Sequence, residues 1–374
     1  MSWQLTAADL PDLARGATLL GTGGGGDPYI GSKLVEQVLG SGSITVLDPG
    51  DRDDLPDDAF VIPTAQMGAP TVMIEKLPAG TEPTLALRTL EKHLGRRADA
   101  TMPIECGGVN SMIPFVVAAE TGLPVVDADG MGRAFPELSM ETFAVYGVPG
   151  SPLALAGERG EQVVIDTGAD NRQLEWLARA VTIRLGGVGH IAEYSMSGAD
   201  VRRTAVPRTI SMALSLGRAI RLAREAKRSP FEALAQALAP TLYSHVVDLF
   251  DGKIVDVERR TTEGFARGRV RIAPVAPGSE LVVDFQNENL TAHRDGELLA
   301  IVPDLICVLD HESAEPITTE GLRYGQRVRV LGISTPDLMR TPEALATFGP
   351  VAFGLTETFA PVEQRTAGSL TAAG

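Results

Sequence analysis

Glu105, Asp127 and Asp129 are where chemistry could begin in this sequence. Asp127 and Asp129 stand at i and i+2 in Val125-Val126-Asp127-Ala128-Asp129. They share a face if an extended strand runs through them, and both line a crevice if the chain turns there. With Glu105 they could hold a divalent cation through carboxylate oxygens, or divide the roles of general acid and general base. Crowded carboxylates raise one another's pKa, which suits proton delivery near neutral pH. Arg133 would offset their charge, or clamp a ligand carboxylate with its two-pronged donor. The competing reading has Asp127 and Asp129 capping turns and Arg133 pairing with Glu137. Cys106, beside Glu105, offers a thiol nucleophile or plain packing, and single buried cysteines more often pack. Cys307 reads as packing. His190 follows the glycine-rich run Gly186-Gly187-Val188-Gly189 and is the histidine best suited to proton transfer.

The segment that must position these groups reads as strand, glycine turn, helix and strand. Residues 100–105 form a short run ending at Glu105, and Gly107-Gly108 supplies a tight turn. Asn110-Ser111 can cap a helix over 112–121, with Pro114 tolerable in its first turn. Gly122 stops that helix, and 124–126 is a buried strand ending at Asp127. Such a unit gives two parallel strands whose carboxyl ends share one edge of a sheet. Glu105, Asn110, Asp127, Asp129, Arg133 and Glu137 then converge at that edge, where open α/β sheets bind ligands. The strand over 60–64 runs into Gln66-Met67-Gly68-Ala69-Pro70, a third loop that would reach the same place.

A second candidate is Gly23-Gly24-Gly25-Gly26-Asp27, between a helix expected over 5–20 with Thr6 as N-cap and one over 29–39. Adjacent glycines can turn several N–H groups toward one anionic or carbonyl oxygen at a helix N-terminus. The bland alternatives are a tight helix–helix connection and Asp27 capping the second helix. Without a preceding strand or a Gly-Lys-Ser/Thr, this is neither a P-loop nor a dinucleotide fingerprint, and no nucleotide cofactor is expected. HExxH, His-x-His and GxSxG are also missing, so zincin and α/β-hydrolase readings fail.

The remaining chain completes a two-domain plan. At 374 residues it exceeds one ordinary core. A first domain, 1–162, is α/β with a mixed or parallel sheet, with strands also at 44–47 and a helix at 84–95. The glycine- and proline-rich stretch 145–161 marks the boundary. The second domain, 163–374, begins α/β, with strands at 163–166 and 180–184 and helices at 171–179, 211–224 and 231–238. From about 245 it turns to short alternating runs (253–258, 268–273, 280–285, 298–302, 305–309, 327–333), as in a β-sandwich or barrel-like module. The net charge of −15 repels phosphate backbones and anionic membranes, so no nucleic-acid partner is expected. Two cysteines exclude a disulfide framework. No apolar run approaches the ~18 residues of a membrane span. The first residues carry Asp9 and Asp12 rather than a basic and apolar leader, which makes a cytoplasmic protein the expectation. A small-molecule ligand and a homo-oligomer are expected.

Several stretches carry a more specific signal: LGTGGGGDPYIG (20–31), PIECGGVNS (103–111), VVDADGMGRAFPEL (125–138), SMSGADVRRTAVPRTISMALSLGRAI (195–220), FQNENL (285–290), PDLICVLD (303–310) and LRYGQRVRVLG (322–332). With them the chain resembles the S-methyl thiohydantoin desulfurase-like family over nearly its whole length. The resemblance implies an N-terminal α/β domain, a largely β C-terminal domain, and a role in hydantoin and thiohydantoin breakdown, including removal of the C2 sulfur substituent from the five-membered ring. On that reading Asp127 or Asp129, or alternatively His190, activates water. The amides of Gly23, Gly24, Gly25 and Gly26 hold a ring carbonyl, and Asn110 bonds the ring. Arg133 binds a substrate carboxylate, and Glu105 is the nearest acid for the leaving sulfur. A metal on Glu105, Asp127 and Asp129 would be a Lewis acid in a variant of the scheme. A non-catalytic accessory subunit of a hydantoinase-type enzyme, and an amidohydrolase opening hydantoin itself, are the alternatives.

Overall fold

A computed structural model describes residues 1–68, 72, 79–262 and 265–366. Ala69 and Pro70, at the end of the third loop, lie outside the described residues.

The first sheet has four parallel strands at its centre, in the order Ser43–Leu47, Val125–Val126, Ala100–Met102 and Phe60–Gly68. Their apolar, doubly buried runs are what a sheet covered on both faces requires. Antiparallel strands flank them: Trp3–Thr6 on one side, then Val188–Ala192, Leu153–Ala156 and Gln162–Ile165 on the other. The sheet is therefore mixed. The β-α-β unit is present as read, with Thr101 opposite Val125 in parallel register and the helix Ile113–Thr121 between the strands. That helix is apolar on all sides and sits inside the core, with Phe115, Val116 and Val117 fully buried.

Residues from 246 onward form one curled antiparallel sheet, a half-barrel, in the order Glu297–Ile301, Glu288–Arg294, Leu281–Gln286, Phe265–Ala273, Val246–Thr262, Arg327–Ile333, Leu305–Asp310. The largest core joins the two sheets, since Leu305, Cys307 and Ile333 pack into the same cluster as Leu19, Leu20 and Met131. No described helix is long and apolar enough to cross a membrane.

Three local expectations are corrected. Residues 3–6 are a strand, and the first α-helix starts only at Leu10; Thr6 still caps, closing a capping box with Asp9 through a 2.8 Å hydroxyl bond. Residues 180–184 continue the helix Asn171–Arg184 instead of forming a strand. Leu174, Ala178 and Thr182 are buried at steps of four, so packing fixed the helical period over a locally β-branched sequence. The strand lies one step later, at Val188–Ala192, where the glycine-rich run reads as a turn. His190 is consequently mid-strand, paired opposite Gln66.

Candidate functional site

Where the two sheets meet, a half-open hollow of about 60 Å³ is walled by Gly25 and Gly26, by Gln66–Gly68, by Glu105 and Asn110, and by Asn287 and Glu288. Glu105 follows the strand Ala100–Met102 and is buried. The Asn110 side chain fixes it. Its Nδ2 donates to Glu105 Oε1 at 2.7 Å and to the Gln66 carbonyl at 3.1 Å, while the Gln66 N–H donates to Asn110 Oδ1 at 2.7 Å. One amide thus locks the end of the strand Phe60–Gly68 to the Glu105 carboxyl. Glu105 Oε2 meets no donor at hydrogen-bonding distance and angle. Burial pushes the Glu105 pKa up to about 8; the Asn110 bond opposes this, the neighbouring Asp129 charge adds to it, and the Phe135 amide draws it back weakly. Near neutral pH Glu105 is mostly a neutral acid.

Glu288 supplies a second buried carboxyl, from the turn into the strand Glu288–Arg294. Its Oε2 is also without a partner, and burial, then the charge of Glu105, raises its pKa well above the ordinary glutamate value, with Arg133 opposing. Gly24 lies flat against this carboxyl, and any side chain at position 24 would collide with it. Gly25 packs against the Gly107-Gly108 backbone, where a Cβ would lie 2.7 Å from the Gly107 carbonyl carbon, and has a positive φ of +80°, so only glycine fits there. The loop is tied down on both sides: Val109 N–H donates to the Gly25 carbonyl (2.8 Å), Asn289 N–H to the Thr22 carbonyl (2.8 Å) and Thr319 N–H to the Gly23 carbonyl (2.7 Å). The N–H groups of Gly25 and Gly26 form no hydrogen bond with another described residue.

The hollow therefore gathers Glu105, Asn110, Gly25, Gly26 and Glu137. The other candidates stand elsewhere, each for a physical reason. Asp127 accepts the Ser211 N–H at 3.0 Å and caps the N-terminus of the helix Thr209–Glu225. Asp129 is fully buried and accepts from the backbone N–H of Cys106 (2.9 Å), Met131 (2.8 Å) and Gly132, which ties two loops together. Burial raises it to about 6 against the pull of those amides. These are the turn-capping roles of the competing reading. With Asp127 and Asp129 so engaged by backbone amides, these two and Glu105 do not fit a cation, and no grouping of three His, Cys, Asp or Glu side chains suited to one occurs among the described residues.

Arg133 is fully buried and donates to backbone carbonyls on the half-barrel, so it neither clamps a ligand nor pairs with Glu137. His190 touches Gln66 (Nε2 to Nε2, 3.4 Å), and burial lowers its pKa to about 4, so it is neutral and one layer behind the hollow. Asp27 Oδ1 accepts from the Tyr29 N–H (2.8 Å), an ordinary cap. Gly23 and Gly24 form the back of the loop. Cys106 is buried, and its thiol is pushed well up by burial, which leaves it unreactive. Glu288 is the carboxyl on the wall of the hollow that is missing from the candidates read in the sequence. Its signal is the FQNENL stretch, an acidic, amide-rich turn inside a β region.

For Asp127→Ala we expect a loss of about 0.5–2 kcal/mol of stability, as for a helix N-cap, with little change in turnover at a permissive temperature. Chemical denaturation and a parallel turnover assay check this, and a turnover loss above about a hundredfold, the scale of removing a catalytic acid or base, would restore Asp127 to the chemistry.

Behind the hollow lie Glu141 and Glu193, fully buried, with neither oxygen of either residue hydrogen-bonded. Burial drives both pKa values far up, and the charge of Glu193 adds to the shift of Glu141. The folded protein holds these protons at pH values where unfolded glutamates, near 4.5, have released them. This contribution to stability is complete below that pH and drains as pH rises toward the folded values. Glu193→Gln should flatten that slope. The mutant should melt higher than wild type at pH 8, by about 1–2 °C for each kcal/mol relieved, and close to it at pH 4. Equal melting shifts at both pH values would contradict a buried neutral pair.

Comparison with known proteins adds independent information. The model of the S-Me-THD-like N-terminal domain matches residues 8–167, and that of the S-Me-THD-like C-terminal domain matches residues 169–362. Among solved structures, the chain is similar to the X-ray structure of a protein from Chromobacterium violaceum, a structural-genomics target. The two share 26% identity at a TM-score of 0.81, over 96% of this chain and 100% of that one. The search of curated proteins finds no match.

Proposed function

Because the chain belongs to the S-Me-THD-like family, we propose that it is a hydrolytic desulfurase, which removes the C2 sulfur substituent of a thiohydantoin-type ring and leaves a hydantoin. The observation that carries the reading is Glu105: a buried carboxyl on the wall of a glycine-lined hollow, with one oxygen held by Asn110, the other without a hydrogen-bond partner, and a pKa near 8. An acid of that kind is still protonated at neutral pH and can give its proton to a leaving thiolate.

The atoms balance as follows. Water adds to C2, forming a C–O bond, and the C2–S bond breaks. One water proton returns to a carboxylate, and the sulfur leaves as a thiol with the proton from the acid. Glu105 and Glu288 are the two buried carboxyls on the wall of the hollow, Glu137 being only partly buried. When the pair carries a single negative charge, the ionised member takes the water proton while the protonated member serves the sulfur, and the pair is restored. The unengaged Gly25 and Gly26 amides would stabilise charge developing on a ring oxygen. A non-catalytic role in a hydantoinase assembly makes no use of a raised-pKa acid facing a hollow.

Incubation with an S-methylthiohydantoin in ¹⁸O water tests the reading. Methanethiol and hydantoin bearing one ¹⁸O are expected. A ring-opened S-methylisothioureido acid without thiol would replace it with the amidohydrolase, and no product at all would overturn it in favour of the accessory subunit.

A further inference from the structure

The hollow is far smaller than the ~300–1,000 Å³ of a usual ligand pocket. It can enclose only the reacting part of a substrate. Glu137 and Arg179 line both this hollow and a much larger open trough of about 1460 Å³ on its outer side. The trough wall carries unusually exposed apolar side chains: Trp176 at 70%, Ile183 at 61% and Val351 at 79%, with Phe265 beneath. Trp176 and Ile183 are seven residues apart on the helix Asn171–Arg184 and so project from one face. Apolar surface gathered around a concavity marks a binding surface rather than scattered exposure.

The partition between hollow and trough is rigid. Arg179 pairs with Glu175 through Nε, donates to the Pro136 carbonyl at 2.9 Å, and lies over the Phe265 ring at 4.8 Å. Glu175 in turn accepts the Leu138 N–H at 2.9 Å. The Arg179 charge is thereby matched, and the trough offers an occupant aromatic and aliphatic surface more than a free cation.

We infer that the trough binds the substituent on C5 of the ring, and that the substrate is a thiohydantoin with an apolar, preferably aromatic, C5 side chain. This rests on the desulfurase reading. With C2 turned inward to Glu105, C4 and C5 are the atoms across the ring. C4 carries the carbonyl, so only the C5 substituent can extend past Glu137 and Arg179. Trp176 is then a specificity determinant, stacking on that side chain.

The test compares 5-benzyl and 5-unsubstituted S-methylthiohydantoin with wild type, Trp176→Ala and Trp176→Phe. Wild type should favour the benzyl ring in kcat/KM by about tenfold or more, the scale of one buried apolar group. Trp176→Ala should bring the ratio near one, and Trp176→Phe should restore most of it. A wild-type ratio near one, or a ratio unchanged in Trp176→Ala, overturns the inference. So does a change of oligomeric state in Trp176→Ala at an unchanged ratio, which would make the trough a contact between copies of the chain. If no ring releases thiol, the desulfurase reading fails by itself, and fluorescence of Trp176 in a Trp3→Phe background decides the trough. Quenching by 5-benzylhydantoin but not by hydantoin supports it, and equal or absent quenching overturns it.

Discussion

Glu105→Gln should lower thiol release by about 10²–10⁴-fold, the range a positioned proton donor supplies, while the protein folds normally. Glutamine keeps the shape of the side chain, and its carbonyl can still accept the Asn110 bond that holds Glu105 Oε1 at 2.7 Å. What it loses is the proton. The sign of the stability change separates this from structural damage. The folded pKa of Glu105 is raised from 4.5 to about 8. The neutral carboxyl is favoured in the fold, and stability tied to it is full below pH 4.5 and drains as pH rises through 8. Glu105→Gln removes that loss, so at pH 8 the mutant should melt no lower than wild type although it is inactive. The wild-type rate should itself climb as pH approaches about 8, where the Glu105–Glu288 pair loses its first proton, and fall at higher pH, where the pair loses its second. A mutant retaining more than a tenth of wild-type turnover, or a wild-type rate that stays level through pH 8, would remove Glu105 from the chemistry.

The path from sequence to this carboxyl shows what local pattern can carry. A run ending in Glu105, two glycines, a capped apolar helix and a second short run are all near-neighbour features, and the parallel pairing at Thr101 and Val125 follows from them. Asn110 and Glu105 are five residues apart across one turn, so their meeting is legible too. The fate of Asp127 is not. Whether a carboxylate at a strand end opens to a cleft or closes a helix depends on which amide arrives, and here it is Ser211, 84 positions away. Asp129 is decided by Cys106, 23 residues back in the loop that follows another strand. Glu288 is the sharper case. Its place against Gly24 exists only once the half-barrel has folded onto the first sheet, and no period in either segment records it. His190 was displaced by register, since a run rich in glycine pairs as a strand when Gln66 and Met67 offer it a ladder.

Arg133→Ala should be the most destabilising of these substitutions, by about 3–5 kcal/mol, the usual consequence of removing one partner from a buried ionic and hydrogen-bonded set. Arg133 is wholly inaccessible to solvent. Its guanidinium donates to the carbonyls of Ala134 (3.1 Å), Asn289 (3.1 Å), Pro303 (3.3 Å) and Asp304 (2.9 Å), and lies over the Phe135 ring at 4.9 Å. Three of those four carbonyls belong to the half-barrel, so one side chain from the loop after Asp129 satisfies the half-barrel surface that covers it. Burial lowers its pKa only to about 10, the nearby Glu288 being the foremost opposing influence, so the cation persists at neutral pH. Alanine leaves several buried carbonyls without donors at ~1–3 kcal/mol each and also deprives Glu288 of its nearest compensating charge. Arg133→Lys should recover little, because a compact ammonium cannot span carbonyls on separate segments as a planar fork does. Since Asn289 and Glu288 are adjacent, loosening this clip should also open the hollow, so turnover falls together with thermal stability. A clamp for a substrate carboxylate behaves otherwise: it raises KM for carboxylate-bearing rings alone and leaves melting in place. Differential scanning calorimetry beside kcat/KM on a neutral ring distinguishes the two, and a melting temperature within about a degree of wild type, well below the roughly 4–6 °C expected of so large a loss, would sink the clip.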